Sequence, residues 1–258
     1  MVASRTILIT GAGTGIGRDA AFVLAARGHR VIATTLSEDQ ADALRAECRT
    51  RGQALEVFKL DITSPGDREQ LRPLALDVLI NNAAIGDSGS LAEVDVARIR
   101  ATFEVNVFAT LELTQLALAG MIERQRGTVL FVSSIAGRVP MPFLMPYSMT
   151  KFALSAAAAG LRAEVDQLRR NVQVALIEPG AFRTGFNQAM AARKYEWMAL
   201  SMRSRTHPGR TTLRSRTVGR GRRAPPRLGP STLFTCRPFH PTASFCAPAR
   251  GRRNGLPR

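Results

Sequence analysis

Cysteine is scarce. Three in 258 residues, Cys48, Cys236 and Cys246, exclude a disulfide scaffold and lack the paired spacing of a metal site. Three histidines, His29, His207 and His240, leave little for a His-rich centre, so no metal is expected. No apolar run approaches the length of a membrane span, and the N-terminus MVASRTILIT has no secretory apolar region or cleavage site. The expectation is a soluble cytoplasmic protein in a reducing compartment, with no membrane partner.

Acid is the other shortage, and it is local. The formal net charge is +16. Residues 1–198 carry 22 Lys and Arg against all 20 Asp and Glu, a net of +2. Residues 199–258 carry 14 Arg, no Lys and no acid. They also hold 8 of the 14 prolines. Such a segment buries little apolar surface, so disorder is the expectation. Arg, Pro, Gly and Ala are also what GC-rich codons encode, and an out-of-frame reading explains the abrupt change as well. Fourteen Arg would bind phosphates non-specifically, but only Phe234, Phe239 and Phe245 could stack on bases and no nucleic-acid motif is present. Nucleic acid is therefore disfavoured as a partner.

Before that segment the chain alternates two periods. Short runs of aliphatic and β-branched residues, Thr6–Thr10, Val31–Thr35, Leu55–Phe58, Val78–Ile80, Val129–Val132 and Val172–Ile177, have the length and composition of buried strands. Helical stretches separate them. Gly15–Arg27 is one. Glu38–Arg51 is another, with Ser37 as N-cap, Ala41, Leu44 and Cys48 on one face and Gly52 as stop. Ser90 and Glu93 form a capping-box pattern that should open a third. A long Ala-rich helix should run from Tyr147, just after Pro146, to Arg170. This alternation predicts an α/β fold, a doubly wound parallel sheet with helices on both faces.

Three clusters carry chemistry. Gly11, Gly13, Gly15 and Gly17 follow the first strand and open the first helix. Glycines there let the backbone turn tightly and approach a pyrophosphate, while the helix N-terminus offers free N–H groups. The spacing is not the usual six-residue dinucleotide pattern. Asn81, Asn82, Ala83 and Ala84 end the fourth strand, and Asp61 ends the third, at the level where parallel sheets bind ligands. Tyr147 and Lys151 stand four apart on one helix face, with Ser134 thirteen residues upstream. A nearby ammonium favours the phenolate, so Tyr147 should titrate below its ordinary value near 10. That would suit it to general acid/base work. The Ser134 hydroxyl would hold a carbonyl or alcohol oxygen beside it.

Together these residues resemble the short-chain dehydrogenase/reductase family in its shorter, classical type. The resemblance covers about residues 5–184 and includes Asn106 and the segment Pro179 to Thr184. It implies a Rossmann-like dinucleotide-binding and catalytic domain over residues 1–198. The implied activity is hydride transfer between a nicotinamide cofactor and a carbonyl or secondary alcohol. By resemblance Tyr147 is the acid/base, Ser134 orients the substrate oxygen, Lys151 tunes Tyr147 and bonds the nicotinamide ribose, and Asn106 helps hold a relay water. Gly11, Gly15, Ile16, Gly17, Asp61, Ile62, Asn82 and Ala83 are implied on the cofactor with Tyr147 and Lys151; Pro179, Gly180 and Thr184 should line its nicotinamide side.

Two departures stand out. The acid that would select NAD at the end of the second strand is absent, and Thr35 is assigned that position. No basic residue in the Gly-rich turn favours NADP either, since Thr14 stands there. The missing acid removes repulsion, so the lean is to NADP over NAD. The chain also shows no candidate for the family's seventh strand after Trp197. The apolar run Pro140–Met145 either overlooks the reacting centre, favouring a hydrophobic small-molecule substrate, or packs on the chain's own core or a partner subunit. Ala153–Gly160 would allow the close helix packing of a homo-oligomer, given a native C-terminus, and a snug buried helix explains it as well.

Overall fold

The structure is a computed structural model, and it describes residues 3–168, 171–182 and 184–192. Six strands form one parallel sheet: β1 (Thr6–Ile9), β2 (Arg30–Thr35), β3 (Glu56–Lys59), β4 (Val78–Asn81), β5 (Arg126–Val132) and β6 (Asn171–Ile177). Their order is β3-β2-β1-β4-β5-β6, every pair parallel. The chain reverses its direction of winding between β1 and β4, which opens a crevice at the strand C-termini.

The helices are α1 (Gly15–Ala26), α2 (Glu38–Arg51), the short α3 (Pro65–Arg68), α4 (Val96–Phe103), α5 (Thr110–Glu123) and α6 (Met145–Gln167). Alternation along β1 shows why both faces are covered. Leu8 packs with Leu113 and Met121 of α5 and Leu154 of α6, while Ile7 and Ile9 pack with Phe22 of α1 and Leu44 of α2. Burying apolar side chains on both faces favours continuous aliphatic strands, which is the pattern of β1, β2 and β4, while Glu56 in β3 and Gln173 in β6 are exposed.

Helix ends follow local chemistry. The Ser37 hydroxyl accepts from Gln40 N, and Gly52 closes α2 at φ 62°. Pro146 lies inside the first turn of α6, where its missing N–H has no helical partner to lose, so the helix starts at Met145 rather than after the proline. The capping-box expectation at Ser90 is corrected. The Ser90 carbonyl accepts from Glu93 and Val94 N in a single turn that stops there. The helix opens at Val96 instead, where the Asp95 carboxylate accepts from Ala97 N.

One apolar stretch was underrated. Helical Val96–Glu123 spans 28 residues and contains an 18-residue window of mean hydropathy 1.4, long and apolar enough to cross a bilayer. Here it lies on the sheet, and Leu113, Ala117, Leu118 and Met121 belong to the core. Its middle is a π-helical turn, Glu104–Ala109, which re-aims Asn106 toward the crevice loops. Segment 199–258, expected to be disordered or out of frame, lies outside the described residues, as does the place of a seventh strand.

Candidate active site

A cleft of about 470 Å³ runs along the C-terminal ends of the strands. Gly11, Gly13, Gly15 and Ile16 line one end, with Ala83 against Gly11 and Thr184 against Gly15, and Ser134, Tyr147 and Lys151 line the other; Asp61, Ile62, Asn82, Pro179 and Gly180 also border it.

The glycine end is built by close approach. Gly11 and Gly15 adopt φ +65° and +58°, and a Cβ on Gly11 would stand 2.8 Å from the Ala83 Cα. Asn82 clamps this turn, donating from Nδ2 to the Thr10 carbonyl (2.8 Å) and the Gly11 carbonyl (3.0 Å). The Thr10 hydroxyl in turn accepts from Asn82 N and Ala83 N. Gly17 does not border the cleft. Its hydrogen faces Asn82, and a Cβ there would lie 2.4 Å from Nδ2. Helix α1 has no side-chain cap and no acid in its first turn. Its N–H groups and positive dipole end are thus left for a phosphate, and the glycines clear the approach. The residues present fit a nucleotide cofactor.

Asp61 borders the cleft, its Oδ1 accepting from Thr63 N and Oγ1. The selector position needs a correction. Thr35 is buried, and its hydroxyl donates to the Ser37 carbonyl. Leu36 and Gln40 line the cleft in its place, because β2 ends at Thr35 with that side chain facing inward.

At the far end, the Ser134 Oγ accepts from Ala136 N, which leaves its own hydrogen free to donate. Lys151 is buried, and its Nζ donates to the Val132 carbonyl at 2.8 Å and stands 5.6 Å from the centre of the Tyr147 ring. Burial lowers the Lys151 pKa to about 8. The expected fall at Tyr147 is reversed. Burial pushes its phenol up to about 12, against a smaller opposing hydrogen bond with Ser134. The ammonium is aimed at a backbone carbonyl, so loss of solvent dominates at the phenol.

Asn106 is fully buried and does not border the cleft. Its Nδ2 donates to the Ile85 carbonyl and to Thr150 Oγ1, and its Oδ1 accepts from Ile85 N. It therefore pins the loop after β4. Of the two readings of the apolar run Pro140–Met145, the structure favours packing on the chain itself, and the run does not border the cleft. Met141 and Leu144 turn onto Ala136, Tyr147 and Met190, and the apolar lining of the cleft includes Ile85, Val105, Phe182 and Phe186. Phe186 packs its ring 5.5 Å from that of Tyr147, tilted by 54°. Phe186 opens a helical stretch at 186–192, and a lone Phe there carries no sequence signal of this role. Among the described residues, no group of three or more His, Cys, Asp or Glu is placed to hold a metal ion.

The short chain dehydrogenase family model matches residues 5–194. The chain belongs to the short-chain dehydrogenase/reductase family. It is 30% identical over 199 residues to 17-beta-hydroxysteroid dehydrogenase 13 of Rattus norvegicus, covering 74% of this chain and 66% of that protein. It is 32% identical over 198 residues to retinol dehydrogenase 8 of Homo sapiens, covering 74% and 63%. The chain thus spans just under two thirds of the length of these relatives. Among solved structures, a short-chain dehydrogenase of Streptomyces avermitilis matches with TM-score 0.61 and 34% identity, over 70% of this chain and 68% of that one. An actinorhodin polyketide ketoreductase variant determined with NADPH matches with TM-score 0.68 and 26% identity, over 76% and 77%. The Rossmann-like sheet and the cleft at its switch point are the family's own architecture.

Proposed function

We propose that the chain is an NAD(P)-dependent oxidoreductase acting on a carbonyl or secondary alcohol with an apolar flank. The observation that carries this is the convergence of Ser134, Tyr147 and Lys151 at one end of a cleft whose other end is an uncapped helix N-terminus behind a glycine turn. A nicotinamide cofactor bound there supplies or takes the hydride. Tyr147 moves the proton. In reduction the carbonyl π pair goes to oxygen, which takes the phenolic hydrogen; in oxidation the phenolate takes the hydroxyl hydrogen. A phenol held near 12 is protonated at neutral pH and ready as the acid. Ser134 donates to the developing oxyanion, and the Lys151 ammonium favours the phenolate left behind. Asp61, Ile62, Asn82 and Ala83 hold the nucleotide's middle. Phe182 and Phe186 support an apolar substrate, as do relatives named for steroids and retinol. Oxidation or formation of NAD(P)H at 340 nm with apolar cyclic ketones and alcohols tests the reading. Absence of both turnover and nucleotide binding sinks it. The solvent-facing Ala156, Ala159 and Gly160 of α6, near exposed Phe152, support self-association through this helix.

The lean to NADP rests on uncharged Leu36 and Gln40. Leu36→Asp should repel a 2′-phosphate and bond the ribose hydroxyls, shifting preference toward NAD by about ten-fold. Leu36→Arg should shift it toward NADP by a similar factor. Dissociation constants of NADH and NADPH, read by fluorescence, check this. An unchanged ratio in both variants removes Leu36 from the ribose site.

A second reading is a chain that binds nucleotide but turns over poorly, because its C-terminal part is not native. The family match ends at residue 194, beside the last acid, Glu196. Sequencing the coding DNA over codons 190 to 258 should reveal a shifted frame that restores acids and an apolar strand. A confirmed tail with no better frame would refute the frame shift.

A further inference from the structure

Tyr147, Lys151 and Ser155 stand at successive four-residue steps on α6, on one face. Ser155 is buried outside the residues that border the cleft. Its hydroxyl lies 2.8 Å from Ser133 Oγ and 3.3 Å from Glu178 Oε1. Ser133 Oγ lies 3.1 Å from the Lys151 carbonyl oxygen. Glu178, directly after β6, is held by Arg138 at 2.6 Å. Gly137 closes the group: a Cβ there would meet the Lys151 carbonyl oxygen at 2.8 Å and Ser133 Oγ at 2.9 Å. The end of β5, the start of the loop after β6 and the turn carrying Lys151 thus meet at two hydroxyls.

Each hydroxyl has one hydrogen, so two hydrogens serve three contacts, and the carbonyl oxygen and the ionised carboxylate only accept. The shorter contacts form one directed chain, Ser155 to Ser133 to the Lys151 carbonyl. The long approach to Glu178 is then the alternative setting of Ser155. A hydroxyl that accepts a hydrogen bond donates more strongly, so the Ser155 hydrogen strengthens the tie on Lys151.

We infer that Ser155 is a positioning residue for Lys151, acting through Ser133 and anchored beside Glu178. The inference rests on the oxidoreductase reading for its kinetic consequence only. Weakening the tie loosens the turn, stretches the Nζ bond to the Val132 carbonyl and lets solvent reach the ammonium.

The chain has three lysines, Lys59, Lys151 and Lys194, so NMR of lysine-labelled full-length protein resolves each titration. Lys151 starts with a midpoint of about 8. In Ser155→Ala the midpoint should rise by about half a pH unit, and in Ser133→Ala by more. In Ser155→Ala kcat should fall about ten-fold while KM for the carbonyl substrate stays within about two-fold. Ser155→Thr, which keeps the hydroxyl, should restore both readings. An unchanged Lys151 midpoint in Ser155→Ala and Ser133→Ala, with only the melting temperature lowered, overturns the inference. Should Ser155→Ala not fold, the Ser133→Ala midpoint decides alone. No turnover in the unsubstituted chain counts against the oxidoreductase reading, and the lysine titration still decides this one.

Discussion

Tyr147→Phe should lower turnover about a thousand-fold while nucleotide binding stays within about three-fold. The substitution removes one oxygen and keeps the ring, so the packing against Phe186, Met141 and Leu144 survives. The phenol is buried, and loss of solvent is what holds its proton up to about 12. Replacing it with an apolar ring relieves that desolvation and gives up one hydrogen bond with Ser134, two terms of about 1 kcal/mol and opposite sign. The melting temperature should therefore move by no more than about 3 °C. Steady-state rates, a nucleotide titration and a thermal melt together separate chemistry from folding. Turnover within about ten-fold of the unsubstituted chain would remove Tyr147 from the proton-transfer step.

Gly17→Ala should damage both stability and nucleotide binding, although Gly17 itself does not border the cleft. The added methyl would sit 2.4 Å from Asn82 Nδ2 and 2.8 Å from the Gly11 carbonyl oxygen. Asn82 must move, and it gives up its bonds to the Thr10 and Gly11 carbonyls. Overpacking plus two lost bonds should cost about 2–3 kcal/mol, or roughly 5–10 °C in melting temperature. The glycine turn and the loop after β4 then lose their mutual register, and nucleotide affinity should fall at least about ten-fold. Gly160→Ala is the control. It lies mid-helix on α6 with nothing within 4 Å of the new methyl, and alanine there should stabilise by about 0.5–1 kcal/mol. Equal melting temperatures for the two variants would show that the Gly17 contact is soft.

The elements legible in the sequence were those whose signal is local. The runs of β1, β2 and β4 appeared because strands buried on both faces need uninterrupted aliphatic residues, and β3 and β6, with Glu56 and Gln173 exposed, appeared from their β-branched and aromatic residues. Helix α2 was readable at both ends because Ser37 and Gly52 satisfy its terminal groups within a few residues of chain. Ser90 failed as a helix start for the opposite reason: its turn has the right residues, but Asp95 offers a competing cap, and the chain continues as helix only from there. At the site, Ser134, Tyr147 and Lys151 could be paired from spacing once the helix was recognised. Leu36 was missed because one residue of uncertainty at a strand end exchanges inward and outward side chains. Phe186 was missed because no spacing rule ties an aromatic on a later helical turn to a tyrosine some forty positions earlier, whereas Phe182 falls inside the segment Pro179 to Thr184 that the resemblance assigns to the nicotinamide side.

The sequence by itself determined the sheet, the glycine turn and the candidate trio Ser134, Tyr147 and Lys151, since each depends on residue type and short spacing. Tertiary structure decided what those groups experience. Only the fold shows that Lys151 aims its ammonium at the Val132 carbonyl, that burial outweighs it at Tyr147, and that Asn106 spends both amide hydrogens on Ile85 and Thr150. Burial and long-range hydrogen bonding depend on segments that meet in space across many residues. A local pattern names the groups, and the distances between elements set their charge and their partners.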